Sequence, residues 1–360
     1  AFWDNRLYLD FTYYKTDSRN QILKLATTAA SGYTSQVRNA GHIRNRGYEI
    51  QLGAVPIQTS KGFRWNLDLN YGANSSKVVK LDDEGLITSY QLYSSGIQIL
   101  ASVGEAYGTL FGTSYVRDAN GNVVVDANGL PKISTTNKTL GKFTPDWTGG
   151  ISNTFSYRSL SLSFLIDASV GGSIFSNTNK TGKYTGVLAN TLSGRDAEHG
   201  GLWYYTDAMG NNVRLSESPS YSVSSDGLYY AQVNGQSTRV YQDGIMVEGV
   251  TESGSKNEEV VSAEKYYHRI YSIAEANVYD ASYVKLREVA LSYRLPRLWT
   301  QKLHLQEASV TLTGRNLWTI YKSVPNIDPE SALTTGNAQG VEAYSLPTTR
   351  SFGVNLSVKF

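Results

Sequence analysis

The sequence has no cysteine, two methionines, four histidines and eight prolines in 360 residues. Without cysteine there is no disulfide framework, which is compatible with passage through an oxidising periplasm. Mean hydropathy is −0.32, and no run approaches 18 consecutive apolar residues, so a helical membrane span is excluded. A membrane β-barrel is not excluded, because alternating strands average to a polar composition. Charge is sparse and nearly balanced, with 33 Lys and Arg against 31 Asp and Glu, a net +2. There is no basic cluster and therefore no expectation of a nucleic-acid partner. His42, His199, His268 and His304 have no recognisable Ser or Asp partner spacing, and no H-E-x-x-H or other metal motif is present. Neither an enzymatic activity nor a cofactor is expected. The chain starts without Met and without a secretory signal, so it reads as a mature protein or as a piece of a longer one.

Tyrosine (26) and glycine (33) are abundant instead. Tyrosine favours strands and, apolar in body and polar at its tip, suits membrane interfaces. The last eleven residues, R-S-F-G-V-N-L-S-V-K-F, alternate without exception. Phe352, Val354, Leu356, Val358 and Phe360 fall on one face of an extended strand, with Ser351, Gly353, Asn355, Ser357 and Lys359 on the other. That length is about what a tilted strand needs to cross a bilayer, and the aromatic terminus suits an interfacial girdle.

The same period recurs at residues 6–15, 43–55, 63–74, 146–157, 160–170, 283–295 and 305–315. In the clearest case Phe63, Trp65, Leu67, Leu69, Tyr71 and Ala73 oppose Arg64, Asn66, Asp68, Asn70, Gly72 and Asn74. Glu49, Asp68 and Asp167 all sit opposite the apolar series, as a polar lumen and a lipid-facing outer wall require. Leu165 is the one apolar intruder on the polar side of its strand. In 283–295 the apolar set changes phase between Leu286 and Val289, which predicts a bulge near Arg287-Glu288 or an upper half standing above the membrane.

The connections sort by length. Asn5-Arg6 reads as a turn, and a polar stretch runs from there past the first strand to about Ala40. Residues 75–145, 171–281 and 316–350 are long. Pro56–Gly62, Arg158-Ser159 and Pro296–His304 are short. Short turns on one side and long loops on the other is the pattern of outer-membrane barrels, with the short side and the C-terminus periplasmic and the long loops extracellular. Within the loops, Asn120-Gly121 and Asn128-Gly129 read as hairpin turns around Val123, Val124 and Val125. Asp118, Asn120 and Asn122 mimic the start of a calcium loop, but Val123 stands at its glycine position and no Glu at its twelfth, which leaves hairpin and calcium readings open. Ser255-Lys256-Asn257-Glu258 has capping-box spacing, predicting a short helix over Val260, Val261 and Ala263.

Several segments, in order along nearly the whole chain, resemble the SusC/RagA family of TonB-dependent outer-membrane importers. They are Ile43-Arg-Asn-Arg-Gly-Tyr-Glu-Ile50, Gly104-Glu-Ala-Tyr-Gly-Thr-Leu-Phe-Gly112, Asp280-Ala-Ser-Tyr-Val-Lys-Leu-Arg-Glu-Val-Ala-Leu-Ser-Tyr-Arg-Leu-Pro296, Gly314-Arg-Asn-Leu-Trp-Thr-Ile-Tyr321 with Asp328-Pro-Glu330, and Phe352–Phe360. The resemblance implies that residues 1–360 are the C-terminal part of a 22-stranded transmembrane antiparallel β-barrel. The plug domain and TonB-contacting segment of the family are not found here. A self-contained eight-stranded barrel is the alternative reading. Gly353, Leu356, Val358 and Phe360 resemble the C-terminal signal read by the assembly machinery.

By the same resemblance the function is nutrient import, an oligosaccharide being the leading substrate and a peptide the alternative. The implied partners are a SusD-like surface lipoprotein, the remaining barrel and plug, the TonB complex through that missing part, and membrane lipids. A dimer of such pairs is a further implied arrangement. Trp203, Tyr204, Tyr205, Tyr229, Tyr230, Trp318 and Tyr321 are the substrate-binding candidates, because aromatic faces stack on sugar rings. Their competing role is to pack the loops themselves. A structural or adhesive barrel is the competing function.

Overall fold

A computed structural model of the protein describes residues 6–26, 30, 32–33, 35–302 and 304–360; Asn5 of the expected first turn lies outside them. Eight long strands form one antiparallel ladder in strict sequence order. They are β1 (Leu7–Ala26), β2 (Ser35–Gln58), β3 (Phe63–Lys80), β4 (Trp147–Tyr157), β5 (Leu160–Val170), β6 (Tyr283–Arg294), β7 (Glu307–Lys322) and β8 (Ser351–Lys359). Each overlaps one of the eight periodic stretches of the sequence.

Register sorts the two faces. Leu9, Leu52, Leu69, Ile151, Ile166, Leu286 and Trp318 form one continuous cross-strand row from β1 to β7. Nearer the short turns, Trp65, Phe155, Leu162, Leu291, Leu312 and Val354 form another on the same face. These side chains are exposed or half-exposed, Ile151 at 41% and Val354 at 74%. Asn153, the one polar residue in the middle of that face on β4, is buried and accepts a hydrogen bond from the Trp65 indole at 3.0 Å. The opposite face carries the acids. Gln51, Asn70, Gly150, Asp167 and Lys285 make one row, and Glu49 and Asp68 lie in neighbouring rows of that face. An exposed apolar sheet face backed by a charged one is what a wall between hydrocarbon and an aqueous lumen requires.

The phase change in β6 is a bulge. Register slips between Leu286 and Glu288 against both β5 and β7, so Leu286 and Val289 return to the same face. On β7, Asn316 adopts φ 51°, a left-handed conformation that asparagine tolerates better than most residues.

The polar stretch expected as a loop to about Ala40 is instead strand. β1 and β2 stay paired residue by residue out to Ala26 and Ser35, a ribbon standing well beyond the apolar rows. Its alternation is polar on both faces, so period-two hydrophobicity cannot reveal it, while ladder hydrogen bonds still satisfy the backbone. Asp17 crosses this ribbon to accept from His42 at 2.6 Å and Arg44 at 2.8 Å. Gly47, in the resembling segment 43–50, has the Tyr14 ring tip and the Ala73 carbonyl where a Cβ would stand.

The long connections are folded too. Residues 75–145 contain a four-stranded sheet (Ser89–Ser94, Gln98–Ser102, Tyr107–Gly112, Lys138–Lys142). Gly108, at φ 84°, has the Phe143 ring directly over its α-carbon, so a larger residue there meets both strain and a clash. Residues 202–262 build a six-stranded sheet. Two helices accompany it, α1 (Asn177–Thr185) capped by Ser176 and α2 (Ala263–Tyr271) capped by Ser262. The expected helix therefore starts later than the Ser255 capping box placed it. Val260 and Val261 pair with Met246 and Ile245 as strand, and Asn257 is buried, donating to the Val247 carbonyl. The short connection after Pro296 holds one more helix, α3 (Arg297–Lys302).

The two faces predict opposite tolerances. In the complete receptor, Ile151→Arg on the apolar row should cost about 2–4 kcal/mol of folding stability in bilayers. Ser152→Arg, one residue away on the polar face, should cost far less. Denaturant titration in lipid vesicles reads both, and equal losses would mean the faces are assigned wrongly.

Candidate functional site

The last long connection is locked to the wall by an ion cluster at the bulge. Lys285, 3% exposed, donates to Asp328 Oδ1 and Glu330 Oε2, each at 2.6 Å. Arg287 grips Asp167 with Nε at 2.6 Å and Nη2 at 2.9 Å, and reaches Glu330 with Nη1 at 2.7 Å. Tyr283 donates to Glu330 at 2.9 Å. Two cations of β6 thus meet three carboxylates, one from β5 and two from the Asp-Pro-Glu turn. Burial works to raise the Asp328 carboxyl, but hydrogen bonds from Lys285 and Thr348 outweigh it and hold the group at about 2. Lys285 and Arg287, two residues apart, share the inward face by ordinary alternation, and the bulge leaves Arg287 out of the ladder pairing on both sides.

Above this base the three long connections pack into one canopy. Ile97, Ile99 and Leu110 from the first, Phe175 and Ala274 from the second and Val341 from the third share a single buried cluster. Ser173–Ser176 pairs on one side with Val278–Asp280 and on the other with Val341–Glu342. Glu342, fully buried, accepts from Ser176 and Thr178 at the start of α1 at 2.7 and 2.6 Å. The hairpins at Asn120-Gly121 and Asn128-Gly129 are present. In the first, Asp118 Oδ1 accepts from the backbone of Asn120 and Asn122 at 2.9 and 2.8 Å, and Oδ2 from the Asn122 amide. The carboxylate thus makes a turn. The same D-A-x-G arrangement recurs at Asp126 and Asp207. Arg117 pairs with Glu275 at 2.8 Å and Arg269 with Asp126 at 2.9 Å, tying these hairpins to the segment around α2.

Between hairpins, α1, α2 and the six-stranded sheet lies a cavity of about 710 Å³, within the range of small-molecule sites. Tyr115, Lys183, Tyr266, Tyr267, Ile270 and Glu248 are among its lining residues. Tyr267 donates to the Asn190 and Ser193 carbonyls at 3.1 Å, holding the 190s turn over the opening. Burial pushes the Tyr115 and Tyr266 phenols above their usual range, so both stay protonated donors.

The aromatic candidates do not gather there. Trp203 and Tyr204 are 7% and 4% exposed, in the interior of the six-stranded sheet. Trp203 stacks on Tyr221 at 5.1 Å and meets Tyr229 edge-on at 5.8 Å. Tyr204 stacks on Tyr241 and donates to Asp243. Both pack within the sheet, and Tyr205 and Tyr229 pack against the same core as Trp203. Tyr230 sits on the adjoining strand opposite Ser222 and Arg239. Trp318 and Tyr321 lie on the outer apolar face opposite Leu286 and Val284, 59% and 53% exposed, where an interfacial girdle belongs. Of the assembly-signal residues, Leu356 and Phe360 are exposed, Gly353 has open space around it and Val358 pairs with Ala308.

The ion cluster was missed because its members lie far apart in sequence. The available signal was two cations at alternate positions on a polar face, with an Asp-x-Glu downstream. Lys285→Ala should cost about 3–5 kcal/mol, because it leaves Asp328 buried without a cation and Glu330 with Arg287 alone. Protease and hydrogen-exchange protection of residues 323–350 in the full receptor would report the loss. Asp328 is depressed on folding, so its contribution is complete above the usual 3.8 and fades as pH falls from there to about 2. Protection that fades already near neutral pH would contradict this anchor.

No family model matches the chain. TonB-dependent receptor P3 of Formosa agariphila is 26% identical over 389 residues, covering all of this chain. Receptor P26 of the same organism is 24% identical over 388 residues, again over the full chain. The chain spans about a third of the length of these relatives, 33% of each. Among solved structures, the RagAB peptide transporter superposes over 99% of the chain with a TM-score of 0.60 at 19% identity. The open-open state of the RagAB peptide importer gives the same score at 17%. Eight sequential strands with an apolar outer face and these matches along the full chain make the protein similar to TonB-dependent receptors, with the fold of the corresponding part of RagAB.

Proposed function

We propose that this chain is the C-terminal part of the barrel of an outer-membrane nutrient importer, with its canopy outside the cell and its short turns and C-terminus in the periplasm. Eight strands then form part of a closed 22-stranded wall, and the free edges of β1 and β8 pair with strands contributed by the rest of the receptor. The observation that carries the reading is the canopy. Three long connections are packed into one body on one end of the wall, enclosing a cavity, while the other end is closed by short turns. A SusD-like lipoprotein seated on the canopy would hold substrate against it, and TonB would act through the plug of the complete protein. Pairs of such complexes would associate as dimers.

For the substrate we favour an oligosaccharide, supported by a canopy rich in tyrosine, serine, threonine and asparagine, residues that stack on and hydrogen-bond to sugars. A peptide is the second reading, supported by the likeness to RagAB, whose described cargo is peptide. Deleting the whole receptor should abolish uptake of one labelled oligosaccharide or peptide class, and dissipating the proton gradient should abolish it equally. Normal uptake and growth on all such nutrients after deletion would sink the import reading. Loss confined to peptides would sink the oligosaccharide reading alone.

A further inference from the structure

We propose that the canopy cavity is a subsite for a ligand carboxylate, with Lys183 of α1 as its anchoring cation. This deepens the import reading and rests on it. Lys183 is only 8% exposed, yet it lines the 710 Å³ cavity. Its ammonium donates to two neutral oxygens, the Ala276 carbonyl at 2.7 Å and Asn277 Oδ1 at 3.3 Å. An ammonium has three donors, so one is left for the cavity. No carboxylate among the described residues lies within ion-pairing distance of it, whereas Lys285, the other deeply buried lysine, sits between two. A buried charge is normally paired, and an unpaired one is costly.

The surroundings complete the site. The Tyr279 ring, outside the cavity lining, backs the Lys183 ammonium at 5.3 Å. Tyr115 and Tyr266 line the same cavity as protonated phenols. One ammonium and neighbouring hydroxyl donors match a carboxylate. Glu248, the carboxylate on the cavity wall, forms no ion pair with Lys183 and would repel an anion from its own side, which directs the ligand's charged end towards α1. Burial lowers the Lys183 pKa to about 8, so the amine is still mostly charged at neutral pH and a bound anion would strengthen that charge. A uronic acid in an oligosaccharide and an acidic residue of a peptide both supply the group.

The test uses the complete receptor, purified in detergent with whatever subunits accompany it. Calorimetry compares trigalacturonate with its methyl ester, and triglutamate with its amide. One carboxylated probe should bind about ten-fold more tightly than its neutral counterpart, and which one does so identifies the source. That preference should vanish in Lys183→Met, survive in part in Lys183→Arg, and shrink as pH rises past about 8 in the wild type. The pH profile decides the matter should Lys183→Met fail to fold. Absence of preference for either acid, a preference that persists in Lys183→Met, or one that ignores pH would each overturn the assignment. Proton-gradient-dependent uptake of a neutral oligosaccharide or peptide would then leave the import reading standing.

Discussion

Two cations on one strand hold the upper half of this molecule in place. Lys285 and Arg287 project from one face of β6 beside the bulge, and they collect carboxylates from β5 and from the turn at Asp328 and Glu330. Surface ion pairs typically contribute under about 1 kcal/mol. This cluster differs because Lys285 is almost fully buried and almost every oxygen is hydrogen-bonded, so removing one member strands the rest. Its net stabilisation relative to an apolar plug of the same shape is small by the same reasoning. What it supplies is geometry. The connection from β7 to β8 must return over β6 in one register, and Val324 and Ile327 then pack against Ile174 at the root of the second connection.

That anchoring explains why the resembling segments of the sequence are where they are. The stretch from Asp280 to Pro296 contains both cations and the bulge. Gly314-Arg-Asn-Leu-Trp contains the complementary irregularity on β7, with Asn316 in a left-handed conformation, its amide donating to the Thr349 carbonyl. Gly314 is needed because the Leu317 side chain lies over it. Motifs that look like strings of strand residues are the parts of two strands that depart from regular pairing.

The wall was legible in the sequence because its physics is local. Alternation at Phe63–Ala73 or Phe352–Phe360 reports which face meets lipid, and even the irregularity at Arg287 showed as a phase change. The canopy was not legible, since its strands are short, buried on irregular faces and stabilised by partners a hundred residues away. Phe175 packs with Ile97 and Val341, contacts that no window of sequence contains. The packing of the aromatic candidates was hidden for a related reason. A Trp-Tyr-Tyr run in a long polar loop reads as exposed, but once the loop folds into a sheet, alternate residues become its core, and Trp203 is the most useful core residue there. The β1–β2 ribbon was hidden because polar alternation carries no hydrophobic signal.

The build of the canopy bears on how an importer would use it. A site made of separate mobile loops must order them at each binding event, at about 0.5–1.5 kcal/mol for each immobilised flexible side chain. Here the connections share one core, and the cavity walls come from segments already tied by Arg117–Glu275, Arg269–Asp126 and the backbone pairing of Val124 with Val250. Lys183 is likewise fixed, on a helix capped at both ends by Ser176 and Gly186. The cavity walls are therefore preorganised, and the anchor at Lys285 and Arg287 fixes the canopy they belong to on the strands beneath it.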